Sequence, residues 1–367
     1  MNREKFEHIV NIAVSTNPFY KEWIKDTANV PILDRKTFLE NNQLILNGYR
    51  VTSRTSGSTG IPVSVSQSQE RINLETRYIK MFSKWHNKSR KSILIIHDDY
   101  SRYPGRMIDI NQPLQEQIQY IEKLKKIGFN SITTFPTNGE QICKAYIENK
   151  LDTSSITQFS LYGESLDDYQ FNLIKQAFPS AKISITYSSE EFGLIAGLCP
   201  YDSSYYHIFD DKLGIEILRD DGTECNDGEM GRVIITDYYN EQSPLIRYEI
   251  GDYAVKGNCP CGKIHYPSFS AVYGKTRGAL VDRLGNRRIF IDLSIMLRDI
   301  PGMKQYQVIQ NSIENFEVLV VNDRVVDDEV KDVFQKYFGY LPNIEIKYVD
   351  SIPKGPNGKF YSSICRI

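Results

Sequence analysis

The chain has 367 residues, with 44 Lys and Arg against 46 Asp and Glu and a net charge of −2. That balance removes any bulk electrostatic case for nucleic acid or an anionic membrane surface, and no apolar run approaches the ~20 residues that span a bilayer. Apolar residues make up 41% and charged residues 25%, a composition that suits a globular enzyme of two or three domains. The opening MNREKFEHIV lacks the apolar stretch of a signal peptide, so a cytoplasmic location is expected. In that compartment the six cysteines read as thiols or metal ligands before disulfides.

Residues 1–50 read as short helices and connections, with Phe6, Ile9, Val10 and Ala13 apolar at helical spacing. From Lys91 the pattern alternates. Strand-like runs occur at Ser92–His97, Ser131–Phe135, Ile156–Gly163 and Ile183–Tyr187. Between them come helical faces at Leu114, Ile118, Ile121 and Leu124, at Ile142, Ala145 and Tyr146, and over Tyr169–Phe178. Alternation of this kind predicts parallel βαβ packing. From Ile215 the grammar turns β-rich, with IEIL and then Arg232–Thr236. After Gly274 a small unit follows: YQVIQ, then Phe316–Val321, a helix over Asp328–Phe338, and Ile344–Val349. The expectation is an α/β protein: a large N-terminal domain, 1–274, with βαβ layers plus a β-rich subdomain, and a small mobile α+β C-terminal domain, 275–367.

The densest signal is RTSGSTGIPVSV, Arg54–Val65. Thr55, Ser56, Gly57, Ser58, Thr59 and Gly60 offer hydroxyls and backbone N–H groups that can converge on an anion, and glycine permits the close approach. A flexible Ser/Gly loop is the bland alternative. No Lys follows Gly60, so this is not the nucleotide loop ending in Gly-Lys-Ser/Thr. It also lacks the three spaced glycines of the dinucleotide fingerprint.

Three further patterns follow in order: ITYSSEEFG (Ile185–Gly193), PLIRYEIGD (Pro244–Asp252) and PKGPNGKF (Pro353–Phe360). Together with NPFYKEW, VPILDRKTFLEN, GEMGRVIITDYYN and VYGKTRGALVD, the ordered set resembles the adenylate-forming superfamily. Within it the set is most similar to the phenylacetate–CoA ligase branch and its capsule-biosynthesis relatives. The resemblance covers nearly the whole chain. It implies ATP-dependent activation of a carboxylic acid to an acyl-adenylate, release of pyrophosphate, and transfer to an acceptor thiol, with CoA the acceptor implied. The capsule-biosynthesis relatives leave an amine or a carrier protein open. A non-catalytic nucleotide-binding module that retains the fold is the reading from another class. A Ser or Cys nucleophile enzyme fits poorly, because Gly57–Gly60 lacks a Gly-x-Ser-x-Gly pattern.

Residue by residue, the resemblance implies that Thr55, Ser56, Gly57, Ser58, Thr59 and Gly60 cradle the phosphates. Gly163 and Glu164 border the adenine. Tyr187 and Ser188 line the nucleotide, with Ser188 standing where Gly is usual and Glu190 where Thr is usual. Glu191 holds Mg²⁺, for which one or two carboxylates plus phosphate oxygens suffice. Asp252 accepts from the ribose hydroxyls, since a carboxylate has two acceptor oxygens and no donor. Arg247 either faces the nucleotide or serves a structural ion pair. Lys359 is the catalytic cation, grouped with Glu191 and Thr59; on position alone a Lys near a C-terminus is an ordinary solvated charge.

Cys199, His207, Cys259 and Cys261 supply three thiolates and one imidazole, a set that suits tetrahedral Zn²⁺. Similar positions recur in the resembling branch. Four protein ligands leave no open position, so the expected role is structural. Separate reduced thiols and a surface His are the alternative. A homodimer is the default assembly for a soluble protein that associates.

Overall fold

The computed structural model describes residues 1–54, 62–98, 100–202, 204–274, 280–288, 290–355, 358 and 360–367. The chain divides into two compact units, Met1–Val272 and Tyr273–Ile367.

The first unit is organised by an 11-stranded sheet. Its parallel part pairs Met107–Asp109, Ser92–Ile96, Ser131–Thr134, Gln158–Tyr162 and Lys182–Ser189 in that spatial order. These strands are the short apolar runs of the sequence. Helices Leu114–Lys125, Pro136–Glu148 and Asp168–Ala177 lie between them in the chain. All three helices bury their apolar stripe in one core, where Ile118, Ile121, Ile142, Tyr146 and Ile174 meet Ile93, Ile132, Phe159 and Ile183. The opposite face carries hydroxyls: Ser92 Oγ lies 2.7 Å from Thr133 Oγ1, and Ser160 Oγ lies 3.1 Å from Ser184 Oγ. Helix Gln69–Trp85 ends near this face, where Gln158 Nε2 donates to the carbonyl of Asn87 at 2.6 Å.

At Lys182–Ser189 the sheet changes character. Gly193–Leu198, Tyr206–Ile208, Ser268–Tyr273, Tyr248–Gly257, Met230–Asp237 and Leu213–Leu218 continue it, with antiparallel pairing from Gly193–Leu198 onward. The N-terminal helices Arg3–Thr16, Pro18–Trp23 and Arg35–Leu46 pack here, sharing one core with Phe192, Ile235, Tyr248 and Phe269.

The second unit has a four-stranded sheet in the order Asn343–Tyr348, Asn315–Val321, Gln305–Ser312 and Ser363–Cys365. Helices Phe290–Arg298 and Asp327–Phe338 cover it through Leu293, Leu297, Phe334 and Phe338. The β-β-α-β order expected from the sequence is present. Helix Phe290–Arg298 and the last strand, parallel to Gln305–Ser312, are additions. No helix among the described residues is long and apolar enough to cross a membrane.

Candidate functional site

Tyr187 sits near the end of Lys182–Ser189, and Asp252 sits in the middle of Tyr248–Gly257. Three strands lie between these two in the sheet order. At about 4.8 Å per strand, a flat sheet would hold them roughly 19 Å apart. Tyr187 nevertheless donates to Asp252 Oδ2 at 2.7 Å. The antiparallel part must therefore curl over on itself. Burial, then the charge of Asp252, push the Tyr187 hydroxyl well above its ordinary range, so it keeps its proton and serves as a donor.

A register shift between Tyr187 and Ser188 precedes a tight turn from Ser189 to Gly193. The turn separates two adjacent acids. Glu190 is exposed and accepts from the hydroxyl of Ser53. Glu191 is 3% exposed, and its Oε1 has no hydrogen-bond partner among the described residues. A buried carboxylate oxygen without a partner carries a desolvation cost of about 1–3 kcal/mol, and a cation would relieve it. The donor set therefore fits the Mg²⁺ assignment of Glu191. The turn is braced within itself, since Phe192 N donates to Ser189 Oγ at 3.1 Å.

The other expected site residues have the following partners. Gly163 takes φ +77°, and the Glu164 that follows accepts from the N–H and hydroxyl of Thr137 at 2.9 and 2.8 Å. Thr137 opens helix Pro136–Glu148, so this carboxylate serves a helix N-terminus. Ser188 is exposed. Arg247 makes the ion pair: its guanidinium donates to both Glu216 oxygens at 3.0 and 2.9 Å and to the carbonyl of Val30 at 2.6 Å. It fastens the segment before Asp34 to the sheet. The six residues Thr55–Gly60 and Lys359 lie outside the described residues.

The four metal-ligand candidates do come together. One ligand atom each from Cys199, His207, Cys259 and Cys261 lies within 4.8 Å of the others. Cys199 follows strand Gly193–Leu198, and His207 lies on Tyr206–Ile208. The two remaining thiols sit in the connection from Tyr248–Gly257 to Ser268–Tyr273. His207 Nδ1 is 3.0 Å from the carbonyl of Tyr266. A carbonyl only accepts, so Nδ1 carries a proton, and Nε2, 3.6 Å from Cys261 Sγ, is the ring atom that faces the thiols. Backbone N–H groups of Tyr201 and Asp202 donate to Cys199 Sγ at 3.4 and 3.3 Å, and that of Lys263 to Cys261 Sγ at 3.5 Å. An outer shell that fixes the imidazole tautomer and supports the sulfurs is what a tetrahedral thiolate–imidazole site requires.

Beyond the expected residues, the structure adds Ser53 and a buried charge network on helix Gln69–Trp85. Their sequence signals are faint: Ser68 as an N-cap, and an Arg71–Glu75 pair at i,i+4 that resembles any solvated helix face.

Solved structures share this architecture. A 2-hydroxyisobutyryl-CoA ligase, crystallised in the postadenylation state in complex with R3-HIB-AMP, superposes with a TM-score of 0.75 over 99% of this chain and 88% of its own, at 11% identity. The amide bond synthetase McbA from Marinactinospora thermotolerans gives a TM-score of 0.58 over 82% of this chain and 65% of its own, at 14% identity. The fold is that of the adenylate-forming ligases. Residues 284–365 match the family model of the CapK C-terminal domain, and protein CapK of Staphylococcus aureus is 23% identical over 98% of this chain and 87% of its own length. The chain is thus similar to CapK over nearly its whole length, and to the CapK C-terminal domain over residues 284–365.

Proposed function

We propose that this protein activates a carboxylic acid with ATP, forming an acyl- or aryl-adenylate and releasing pyrophosphate, and then passes the acyl group to an acceptor. In the first step an acid oxygen attacks the α-phosphorus, and the bond from that phosphorus to the pyrophosphate oxygen breaks. Both reactants are anionic, so the work of the site is charge neutralisation and alignment. The observation that carries the reading is the Tyr187–Asp252 hydrogen bond, with the Glu191 charge close enough to act on the same Tyr187 hydroxyl. Asp252, oriented by the Tyr187 hydroxyl at 2.7 Å, is the ribose acceptor. Glu191, with its unpartnered buried oxygen, is the Mg²⁺ ligand; the ion supplies charge compensation for the phosphates. The hydroxyls and N–H groups of Thr55–Gly60 receive the phosphates, and Lys359 neutralises the carboxylate and α-phosphate.

Cys199, His207, Cys259 and Cys261 hold a structural Zn²⁺ with no open position. The acceptor is the thiol of CoA, as the names of several fold neighbours suggest, with an amine as the second reading because an amide bond synthetase shares the fold.

The test is acid-dependent ATP–pyrophosphate exchange across aryl, fatty and amino acids, with Mg²⁺ and no acceptor. Exchange with one class, lost by about 100-fold or more in Lys359→Ala, is the expected result. Nucleotide binding with no exchange for any acid would favour a non-catalytic module instead.

A further inference from the structure

Helix Gln69–Trp85 carries two charged residues one turn apart into the protein interior. The side chains of Arg71 and Lys212 are 0% exposed, those of Asp237 and Glu75 1% and 17%. Arg71 Nε donates to Asp237 Oδ2 at 2.6 Å, and one terminal nitrogen donates to Glu75 Oε2 at 3.1 Å. Lys212 Nζ donates to the same Glu75 oxygen at 2.6 Å. Two cations and two anions balance, which explains why the cluster is tolerated inside. It does not explain why the cluster is there. Buried ion pairs can often be replaced by apolar residues of similar volume without loss of stability, because desolvation offsets the attraction.

The remaining contacts supply a reason. The other terminal nitrogen of Arg71 donates to the carbonyl of Phe192 at 2.6 Å. Glu75 Oε1 accepts from the N–H of Leu194 at 2.7 Å. The two side chains thus grip the backbone on both sides of Gly193, immediately after Glu191. Gly193 has φ +62°, and a Cβ there would fall 2.6 Å from the Glu75 carboxyl. Only glycine lets the turn reach this clamp.

We propose that Arg71 and Glu75 are positioning residues for the Glu191 turn, holding its backbone so that the Glu191 carboxylate stays buried with one oxygen directed to a divalent cation. The cation half of this statement rests on the adenylation reading above; the clamp itself does not.

The test uses the full chain and two readouts. The first is hydrogen exchange of the backbone amides in 190–195 without ligand. The second is the Mg²⁺ concentration that half-saturates pyrophosphate exchange. In Arg71→Lys, a single ammonium cannot span Asp237, Glu75 and the Phe192 carbonyl at once. Glu75→Leu with Lys212→Met keeps the charge balance but loses the acceptor for Leu194, whereas Glu75→Gln with Lys212→Met keeps both. Arg71→Lys and the Leu-bearing pair should speed exchange at Phe192–Leu194 about tenfold and leave strand Gln158–Tyr162 unchanged. Half-saturating Mg²⁺ should rise about tenfold, the smaller cost usual for losing an outer-shell partner, with turnover at saturating Mg²⁺ within about threefold. The Gln-bearing pair should restore both.

If Arg71→Lys does not fold, the two double variants carry the test. Turn amides no faster in the Leu pair than in the Gln pair, or a loss of protection spread equally over Gln158–Tyr162, would overturn the clamp. A loosened turn with an unchanged Mg²⁺ requirement would overturn its purpose. Absence of pyrophosphate exchange in the unmodified protein would sink the adenylation reading, while amide exchange still decides the clamp.

Discussion

Two polar clusters sit on the same curled part of the large sheet, and they differ in what they leave open. At Cys199, His207, Cys259 and Cys261 the donor atoms face one another, and their outer bonds are made to backbone N–H and C=O groups. At Tyr187, Asp252 and Glu191 one bond is made inward, and one buried carboxylate oxygen has no partner among the described residues. The first arrangement is complete once a single ion is present, which suits a staple between strand ends. The second remains electrostatically unfinished until something from outside arrives, which suits a site that binds and releases. A buried group with its hydrogen bonds satisfied contributes to the fold, whereas one left unsatisfied costs stability and points to a ligand.

Removing the ion from the closed cluster gives the largest expected effect. One zinc per chain should be found by elemental analysis. Chelation, or Cys259→Ser, should lower stability by about 4 kcal/mol, the linkage value for a ligand at a thousand times its Kd. That corresponds to a fall of roughly 5–7 °C in Tm; an unchanged melting curve after complete metal removal would erase the distinction between the clusters.

Glu191→Gln should do the reverse, lowering Mg²⁺-dependent pyrophosphate exchange by about 100-fold while Tm holds or rises, because a costly buried charge is gone. A large loss of stability in this variant would mean that Glu191 belongs to the scaffold.

Tyr187→Phe removes one hydrogen bond to Asp252 and keeps the ring packed against Phe269, 6.3 Å between centroids. A rise in the KM for ATP of about tenfold, equivalent to ~1.4 kcal/mol, with kcat nearly unchanged, would mark Asp252 as a binding group. Ser53→Ala, which removes the exposed contact to Glu190, should change stability by no more than about 0.5 kcal/mol; a larger change would show that the turn is held from that side as well.

The parallel strands and their helices were legible in the chain because each announces itself locally. Ser92–Ile96 is a run of five buried residues, and Ile118, Ile121 and Leu124 fall on one helical face. The antiparallel strand Gly193–Leu198 escaped such a reading, since GLIAGL begins with glycine and is buried along nearly all its length. Helix Gln69–Trp85 escaped it for the opposite reason, because its Arg71 and Glu75 look like solvent-facing charges and instead turn inward.

The sequence by itself determined which chemistries were available: a carboxylate at Glu191, another at Asp252, three thiols and an imidazole, in an order that resembles one superfamily. Tertiary structure alone decided which of them meet. Tyr187 and Asp252 are 65 positions apart and Cys261 and His207 are 54 apart, and no local periodicity reports such distances. They converge because the sheet curls and its strands are ordered out of sequence. Arg247, just before strand Tyr248–Gly257, meets Glu216 on a strand two away in the same sheet, and Glu164, after strand Gln158–Tyr162, meets Thr137 at the start of the preceding helix, so residues that share a motif with Asp252 or border one another in sequence also take structural partners. Side-chain type is a property of position in the chain, whereas partnership is a property of the packed sheet.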